Sequence, residues 1–442
     1  MHVSLAGDES PRSAEARLEE AVGLATAIDL IVVYAEIAQL NLPKPATFIG
    51  GGKVGDIRAK LDNSDPRPGL VIVDAALSPV QHRNLENAWD AKVLDRTALI
   101  LEIFGERART AEGRLQVDLA HLTYQRSRLV RSWTHLERQR GGRGFLGGPG
   151  ERQIESDRRA IDDKIDRLKE RLEQVRRTRS LQRAKRRKAP YPVVALVGYT
   201  NAGKSTLFNR LTRSDVVARD QLFATLDPTM RAVDLPSGER VILSDTVGFI
   251  SDLPTQLVAA FRATLEEVNE ADLILHVRDA AHEDSEAQRC DVLEVLEELG
   301  VTAESDRPVI EVLNKIDLLD QEDRHALAST TRLVRDLAPM TIEEPARVAM
   351  SAVTGEGIDE LFLTIDNILT ADRCGYALLL PLDAGAARAW LHENGDVTDE
   401  SETPTGVSMM VRLNEKKRGQ FSKLFPSIEL AADQALAAQM SA

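Results

Sequence analysis

Val193-Val194-Ala195-Leu196-Val197-Gly198-Tyr199-Thr200-Asn201-Ala202-Gly203-Lys204-Ser205-Thr206 is an apolar, β-branched run that feeds into G-x-x-x-x-G-K-[ST] and then into a helix-like stretch. That order, strand then glycine loop then helix, is the phosphate-binding loop of a P-loop α/β fold. Glycine is needed because backbone NH groups must close around phosphate oxygens, and the helix N-terminus adds its partial positive charge. The cradle is therefore expected to run through Gly198, Tyr199, Thr200, Asn201, Ala202 and Gly203 and to close on Thr206. Lys204 should reach the β- and γ-phosphates, and the Ser205 hydroxyl should ligate Mg²⁺.

Three further motifs follow in order. Val241-Ile242-Leu243-Ser244 precedes Asp245-Thr246-Val247-Gly248, which puts a carboxylate at a strand end where it can hold Mg²⁺ through water. Gly248 can then offer its NH to the γ-phosphate. Val309 to Leu313 leads to Asn314-Lys315-Ile316-Asp317, and the Asp317 carboxylate can accept two hydrogen bonds from the N1 and N2 edge of guanine. Adenine lacks that donor pair, and sites of this kind reject the wrong ligand by roughly 10⁴- to 10⁵-fold. GTP and GDP are expected over ATP. Ser351-Ala352 matches the loop whose backbone NH contacts guanine O6. Between Lys204 and Asp245 a mobile hydroxyl must join Mg²⁺ when the γ-phosphate is present; Thr225 is the expected residue, with Thr229 in reserve. Phe249 stands where many GTPases carry the glutamine that orients water, so unassisted turnover should be slow, on the order of 10⁻⁴ to 10⁻² s⁻¹.

The chain has 442 residues, enough for two to four domains, with a mean hydropathy of -0.24 that suits a soluble globular protein. Cys290 and Cys374 are the only cysteines, and neither sits at disulfide-framework or zinc spacing. The N-terminus carries no signal-like apolar segment, and Ile28 to Leu42 is interrupted by Asp29 and Glu36. A cytoplasmic protein without a membrane partner is expected, and a monomer. The net charge of -14 hides an asymmetry: residues 103 to 188 hold 24 Lys and Arg against 12 Asp and Glu, a local +12, leaving -26 for the rest.

Four regions are expected. Residues 1–102 alternate short apolar runs (Ile28–Ile37, Thr47–Ile49, Leu70–Asp74, Val93–Leu94) with helical stretches, and read as an N-terminal α/β domain with a mainly parallel sheet. Residues 103–189 read as a basic helical hairpin: one long helix over 103–140, the glycine-rich loop Gly141–Gly150, then a helix over Ile154–Lys188. Residues 190–372 form the nucleotide domain after Pro190 and Pro192. Residues 373–442 suit a small C-terminal α/β module, β-α-β, with a polar acidic loop over Glu393–Thr405.

Beyond the generic motifs, the chain resembles the HflX family of ribosome-associated GTPases. Asp95-Arg96-Thr97, Arg107-Ala108-Arg109-Thr110, Gly148-Pro149-Gly150-Glu151, Asp220 to Thr229, Asp245 to Ile250 and Phe261 to Glu266 are similar to its pattern. The resemblance implies GTP-dependent binding to the large ribosomal subunit and its RNA, and the splitting or rescue of stalled ribosomes. A GTPase of ribosome assembly or RNA modification, or a nucleotide-gated scaffold, are the alternatives. Arginines on a hairpin give the first reading physical sense, because they neutralise phosphates. Phe145-Leu146-Gly147 departs from the family's Thr-Arg at the loop tip. Resemblance to GTPases with Asn at position 201 implies K⁺ near the phosphates; a loop-stabilising Asn201 is the other reading. Gly50 to Lys53 is similar to a segment proposed for ATP in some relatives, and a turn after a strand explains it equally well.

Overall fold

The computed structural model describes residues 1–5, 12–139, 149–186, 191–213, 222–223, 229–251, 268–302, 307–330, 345–371, 374–404, 406–413 and 415–432. The N-terminal region opens with β1 (His2–Leu5), followed by α1 (Ala14–Thr26), β2 (Ile37–Leu40), α2 (Gly51–Asp62), β3 (Leu70–Val73), α3 (Pro79–Trp89) and β4 (Lys92–Asp95). β1 pairs with β2 and β3 with β4, both in parallel, and a parallel bridge from His2 to Asp74 joins the halves. The helices start where the chain supplies caps. The Ser13 hydroxyl accepts from the Ala16 amide, and Ser78 and Gln81 form a reciprocal capping box with Pro79 at the first helical position.

Two strand expectations need correction here. Residues 30–36 have no regular structure, with Ile31 90% exposed, and Thr47–Ile49 contributes only a Lys44–Phe48 bridge. Pro43 and Pro45 lack the amides a ladder needs. β1 went unforeseen, since a four-residue strand leaves little periodicity.

The long helix expected over 103–140 is two helices, α4 (Arg96–Arg107) and α5 (Ala111–Gln139). Ala108 turns extended at φ -67°, ψ 107°, and the Thr110 hydroxyl accepts from the Gly113 amide at 3.0 Å, starting a new helix. α6 (Pro149–Arg186) packs along α5, burying Ile165 and Leu172 and pairing Arg126 with Asp162 at 3.1 Å. Pro149 and Gly150, expected in the loop, open α6; positions 140–148 of the glycine-rich stretch lie outside the described residues.

The central region is built on six strands in the order β10-β9-β8-β5-β7-β6, all parallel except β6 against β7. They are β5 (Val193–Gly198), β6 (Thr229–Asp234), β7 (Arg240–Asp245), β8 (Leu273–Asp279), β9 (Val309–Asn314) and β10 (Ala346–Ala349). Helices α7 (Lys204–Thr212), α8 (Ser285–Glu298), α9 (Gln321–Thr330) and α10 (Ile358–Thr370) accompany them. The strands read as near-continuous apolar runs because a parallel sheet is buried on both faces. One face packs Leu207, Phe208, Leu361 and Ile365. The other shares a cluster with the N-terminal region, in which Leu24, Leu99, Ile103 and Phe104 meet Val197, Val247 and Phe249.

The C-terminal module consists of β11 (Cys374–Leu380), α11 (Gly385–Asn394), β12 (Asp396–Thr403), β13 (Gly406–Leu413), α12 (Glu415–Leu424) and β14 (Ala431–Ala432). Its sheet is antiparallel, ordered β12-β13-β11-β14. The acidic loop expected at Glu393–Thr405 is therefore mostly β12. It is an edge strand, and carboxylates facing water are tolerated there because they discourage edge-to-edge pairing.

Candidate functional site

The site lies at the C-terminal ends of β5, β7 and β9, where a parallel sheet presents its loops. β5 ends at Gly198, whose φ of +151° and close approach to β8 admit no side chain: a Cβ there would lie 2.2 Å from the Val277 carbonyl oxygen. The loop then passes through Asn201 at φ 61° and Gly203 at φ +92°, left-handed conformations that curl the backbone into a cradle ahead of α7. Tyr199 and Ala202 are buried, and Thr200 donates its amide to the Phe249 carbonyl at 2.7 Å. Asn201 is exposed, and Thr206 stands half-buried in the first turn of α7.

Lys204 is 7% exposed. Its Nζ donates to the carbonyls of Gly198 at 3.0 Å and Tyr199 at 2.7 Å. Burial pushes its pKa down to about 8, against the opposing pull of Asp245. Among the described residues its hydrogen-bond partners are these two carbonyls, and an anion placed there would help restore the charge balance. Ser205 donates its hydroxyl to Asp245 Oδ2 at 2.8 Å, which joins two of the three expected Mg²⁺ residues. The neighbouring Thr246 ties this strand end to β5 through the Leu196 carbonyl at 2.6 Å. Gly248 abuts the loop: a Cβ there would sit 2.8 Å from Thr200 Cγ2 and 3.0 Å from Lys204 Nζ. Phe249 is buried at 1% exposure and its backbone pairs with the phosphate loop, so its ring serves the core.

The base side converges on Asn314. Its Nδ2 donates to the Ala202 carbonyl at 2.8 Å, and its Oδ1 accepts from the Ala352 amide at 3.0 Å. One side chain thereby staples the phosphate loop to the Ser351-Ala352 loop, and Ser351 supports that loop by accepting from the Thr354 amide at 3.1 Å. Lys315, at φ 65°, pairs with Asp279 at 2.7 Å. Asp317 follows in a short 3₁₀ turn, and its Oδ1 is buried without a hydrogen-bond partner among the described residues. An unpaired buried carboxylate oxygen costs stability, so its persistence at this position fits a ligand donor.

Thus Gly198 to Thr206, Asp245, Gly248, Asn314, Lys315, Asp317, Ser351 and Ala352 come together. Thr225 lies outside the described residues; Thr229, the reserve, starts β6 opposite Asp245. Sequence reasoning missed Thr246, Asp279 and a buried cluster of Arg12, Glu20, Arg96 and Ser251 behind Tyr199. Asp279 has a signal, a carboxylate ending β8, but its partner is 36 residues away.

Known proteins resemble this chain over most of its length. Family models described as GTP-binding GTPase N-terminal, GTP-binding GTPase Middle Region, 50S ribosome-binding GTPase and HflX C-terminal domain match residues 15–105, 107–186, 193–315 and 337–433. GTPase HflX of Magnetococcus marinus is 49% identical over 90% of this chain and 88% of its own length. GTPase HflX of Escherichia coli is 43% identical over 90% and 89%. A solved GTP-binding protein of Sulfolobus solfataricus in complex with GDP is 24% identical, covering 84% of this chain and 99% of that one, at a TM-score of 0.43, too loose a likeness to argue from. The chain belongs to the HflX family of GTPases.

Proposed function

We propose that this protein binds GTP with Mg²⁺, hydrolyses it slowly, and uses the cycle to act on the large ribosomal subunit, splitting or rescuing stalled ribosomes. The observation that carries the nucleotide part is Asp317: a buried carboxylate oxygen without a hydrogen-bond partner among the described residues, set beside a loop that Asn314 fastens to the phosphate cradle. The guanine N1 and N2 donors would satisfy that carboxylate.

The donor set suits Mg²⁺. A serine hydroxyl and a carboxylate 2.8 Å apart at the foot of the phosphate loop are hard oxygen ligands, and Mg²⁺ commonly takes one or two of these with phosphate oxygens and water. Ser205 and Asp245 would hold it, with Thr225 joining in the triphosphate state; the ion would neutralise charge on the phosphates. Lys204 would turn from its two carbonyls to the β- and γ-phosphates. Gly248, packed against Thr200, would set its NH at the γ-phosphate. With Phe249 in the core, hydrolysis would draw on backbone, another side chain or a group supplied by a partner, and K⁺ beside Asn201 would add positive charge near the phosphates.

The ribosomal part rests on the basic hairpin, α5 with α6, whose charge suits phosphates, and on the family description of the 193–315 region. Among the described residues no helix is long and apolar enough to cross a membrane. On this reading the protein works in the cytoplasm as a monomer. The proposed region boundaries are 189, 372 and the break at Ala108 between α4 and α5, because the one expected at 102 falls inside α4.

Three measurements test this. Calorimetry with GDP, GTP, ADP and ATP is expected to give guanosine affinities far above adenosine ones, and equal affinities would refute the base assignment. Sedimentation with large subunits and a non-hydrolysable GTP analogue is expected to pellet the protein with mature subunits. Binding only to precursor particles would point instead to assembly. Hydrolysis in KCl and NaCl at equal ionic strength tests the ion at Asn201, and identical rates would remove it.

A further inference from the structure

Behind the phosphate loop, the N-terminal region and the central sheet meet through charge as well as oil. The Tyr199 hydroxyl, on a side chain 4% exposed, donates to Glu20 and accepts from Arg12 Nη1 at 2.6 Å and from the Ser251 amide at 2.9 Å. Glu20, on α1, also accepts from the Ser251 hydroxyl at 3.1 Å and pairs with Arg12 at 3.0 Å and with Arg96. Arg96 Nη2 reaches the Ser251 carbonyl and hydroxyl, both at 3.0 Å, while its Nη1 pairs with Asp74 at 2.7 Å. A second contact sits nearby: the Phe104 ring of α4 meets Phe223 edge-on at 4.7 Å between centroids, and Leu222 packs on Gly23 of α1.

The positions gripped are telling. Tyr199 follows the first glycine of the phosphate loop. Ser251 comes three residues after Gly248, and Phe223 two before Thr225. From these contacts we infer that Glu20 and Arg96 are positioning residues for GTP hydrolysis: they make the N-terminal region a clamp that fixes the phosphate loop and the segment carrying Gly248 relative to each other. Neither reaches the nucleotide. They act through Tyr199 and Ser251, which set the backbone whose NH groups meet the phosphates. The adjacent Asp95 extends the connection, since it caps α4 through the Ala98 amide at 2.8 Å and accepts from Tyr124 of the hairpin at 2.8 Å. Hairpin root and phosphate loop are thus joined by consecutive residues.

The inference rests on the GTPase reading, and its test separates the two. Full-length wild type, Glu20→Gln and Tyr199→Phe are compared for GDP and GTP affinity and for single-turnover hydrolysis, with and without large subunits. Tyr199→Phe removes one hydroxyl and leaves the buried ring, so it decides the matter should Glu20→Gln fail to fold. Both variants are expected to bind GDP within about twofold of wild type yet hydrolyse GTP about tenfold slower or worse, because misplacement of a reacting group is felt in the rate before it is felt in affinity. The paired variant is expected to lose no more than the worse single, since both changes break one unit. Hydrolysis unchanged or faster in Tyr199→Phe, with GDP affinity intact, would overturn the clamp and leave the GTPase reading standing. A wild-type protein that binds no guanosine nucleotide would overturn both.

Discussion

Lys204 makes the ligand-free protein pay for its own readiness, and Lys204→Met exposes the amount. Burial lowers the Lys204 pKa from 10.5 to about 8, so its ammonium is held at a cost of about 3 kcal/mol at neutral pH, taking about 1.4 kcal/mol per pH unit. Methionine keeps the length and the packing but removes the charge. The carbonyls it deserts keep other donors, since Gly198 also accepts from the Phe249 amide and Tyr199 from the Ala202 amide. Lys204→Met is therefore expected to stabilise the nucleotide-free protein by about 1 to 3 kcal/mol, raising Tm by about 2–4 °C per kcal/mol if the central region melts as a domain of this size. At the same time GTP affinity is expected to drop about 100-fold, the loss of charge-assisted hydrogen bonds worth about 3 kcal/mol together. The sign with pH follows from the depressed value: the unfolded lysine binds its proton more tightly than the folded one, so wild-type stability climbs between pH 8 and 10.5. The advantage of the methionine variant should shrink over that window. Differential scanning calorimetry of EDTA-treated, nucleotide-free protein between pH 7 and 10 is the assay. A variant less stable than wild type at pH 7, or a difference constant across the window, would refute the reasoning.

His276, fully buried on β8, has its pKa pushed to about 4 by burial, against the pull of Glu311. Its unfolded form takes up a proton at higher pH, so stability is lost between about pH 6.5 and 4, and His276→Gln is expected to flatten that acid limb in urea melts. Asp317→Asn swaps an acceptor for a donor opposite the purine C2 substituent; competition binding should show preference moving from GTP to XTP, whose C2 oxygen accepts, and retained GTP preference would contradict the assignment. Gly203→Ala would drive a Cβ to 2.2 Å from Asn314 Nδ2 in a left-handed backbone, so calorimetry should register guanosine affinity and Tm falling together.

What could be read from the sequence was what is local. The phosphate loop announces itself because strand, glycines and helix lie within the consecutive residues Val193–Thr212, and Asn314 to Asp317 end a strand as compactly. The parallel order of the N-terminal strands was legible from their alternation with helices. Arg12, Glu20 and Asp291 could not be found, for the ion pair from Arg12 to Asp291 spans 279 positions, and Glu20 and Asp291 look like ordinary charges on solvated helices while Arg12 looks like one before a helix start. The break at Ala108 hid inside a good helical period, and only the Thr110 cap betrays it. β12 hid in the opposite way: its acidic composition argues for a loop, whereas strand pairing asks only for backbone amides and one neighbour.

The seam between Phe104, Leu99 and Ile103 on one side and Val197, Val247 and Phe249 on the other has a practical bearing. A fragment cut near residue 190 to isolate the nucleotide lobe would turn that greasy seam outward to water. It would clump, and whatever turnover it retained would describe a machine running with its backplate removed.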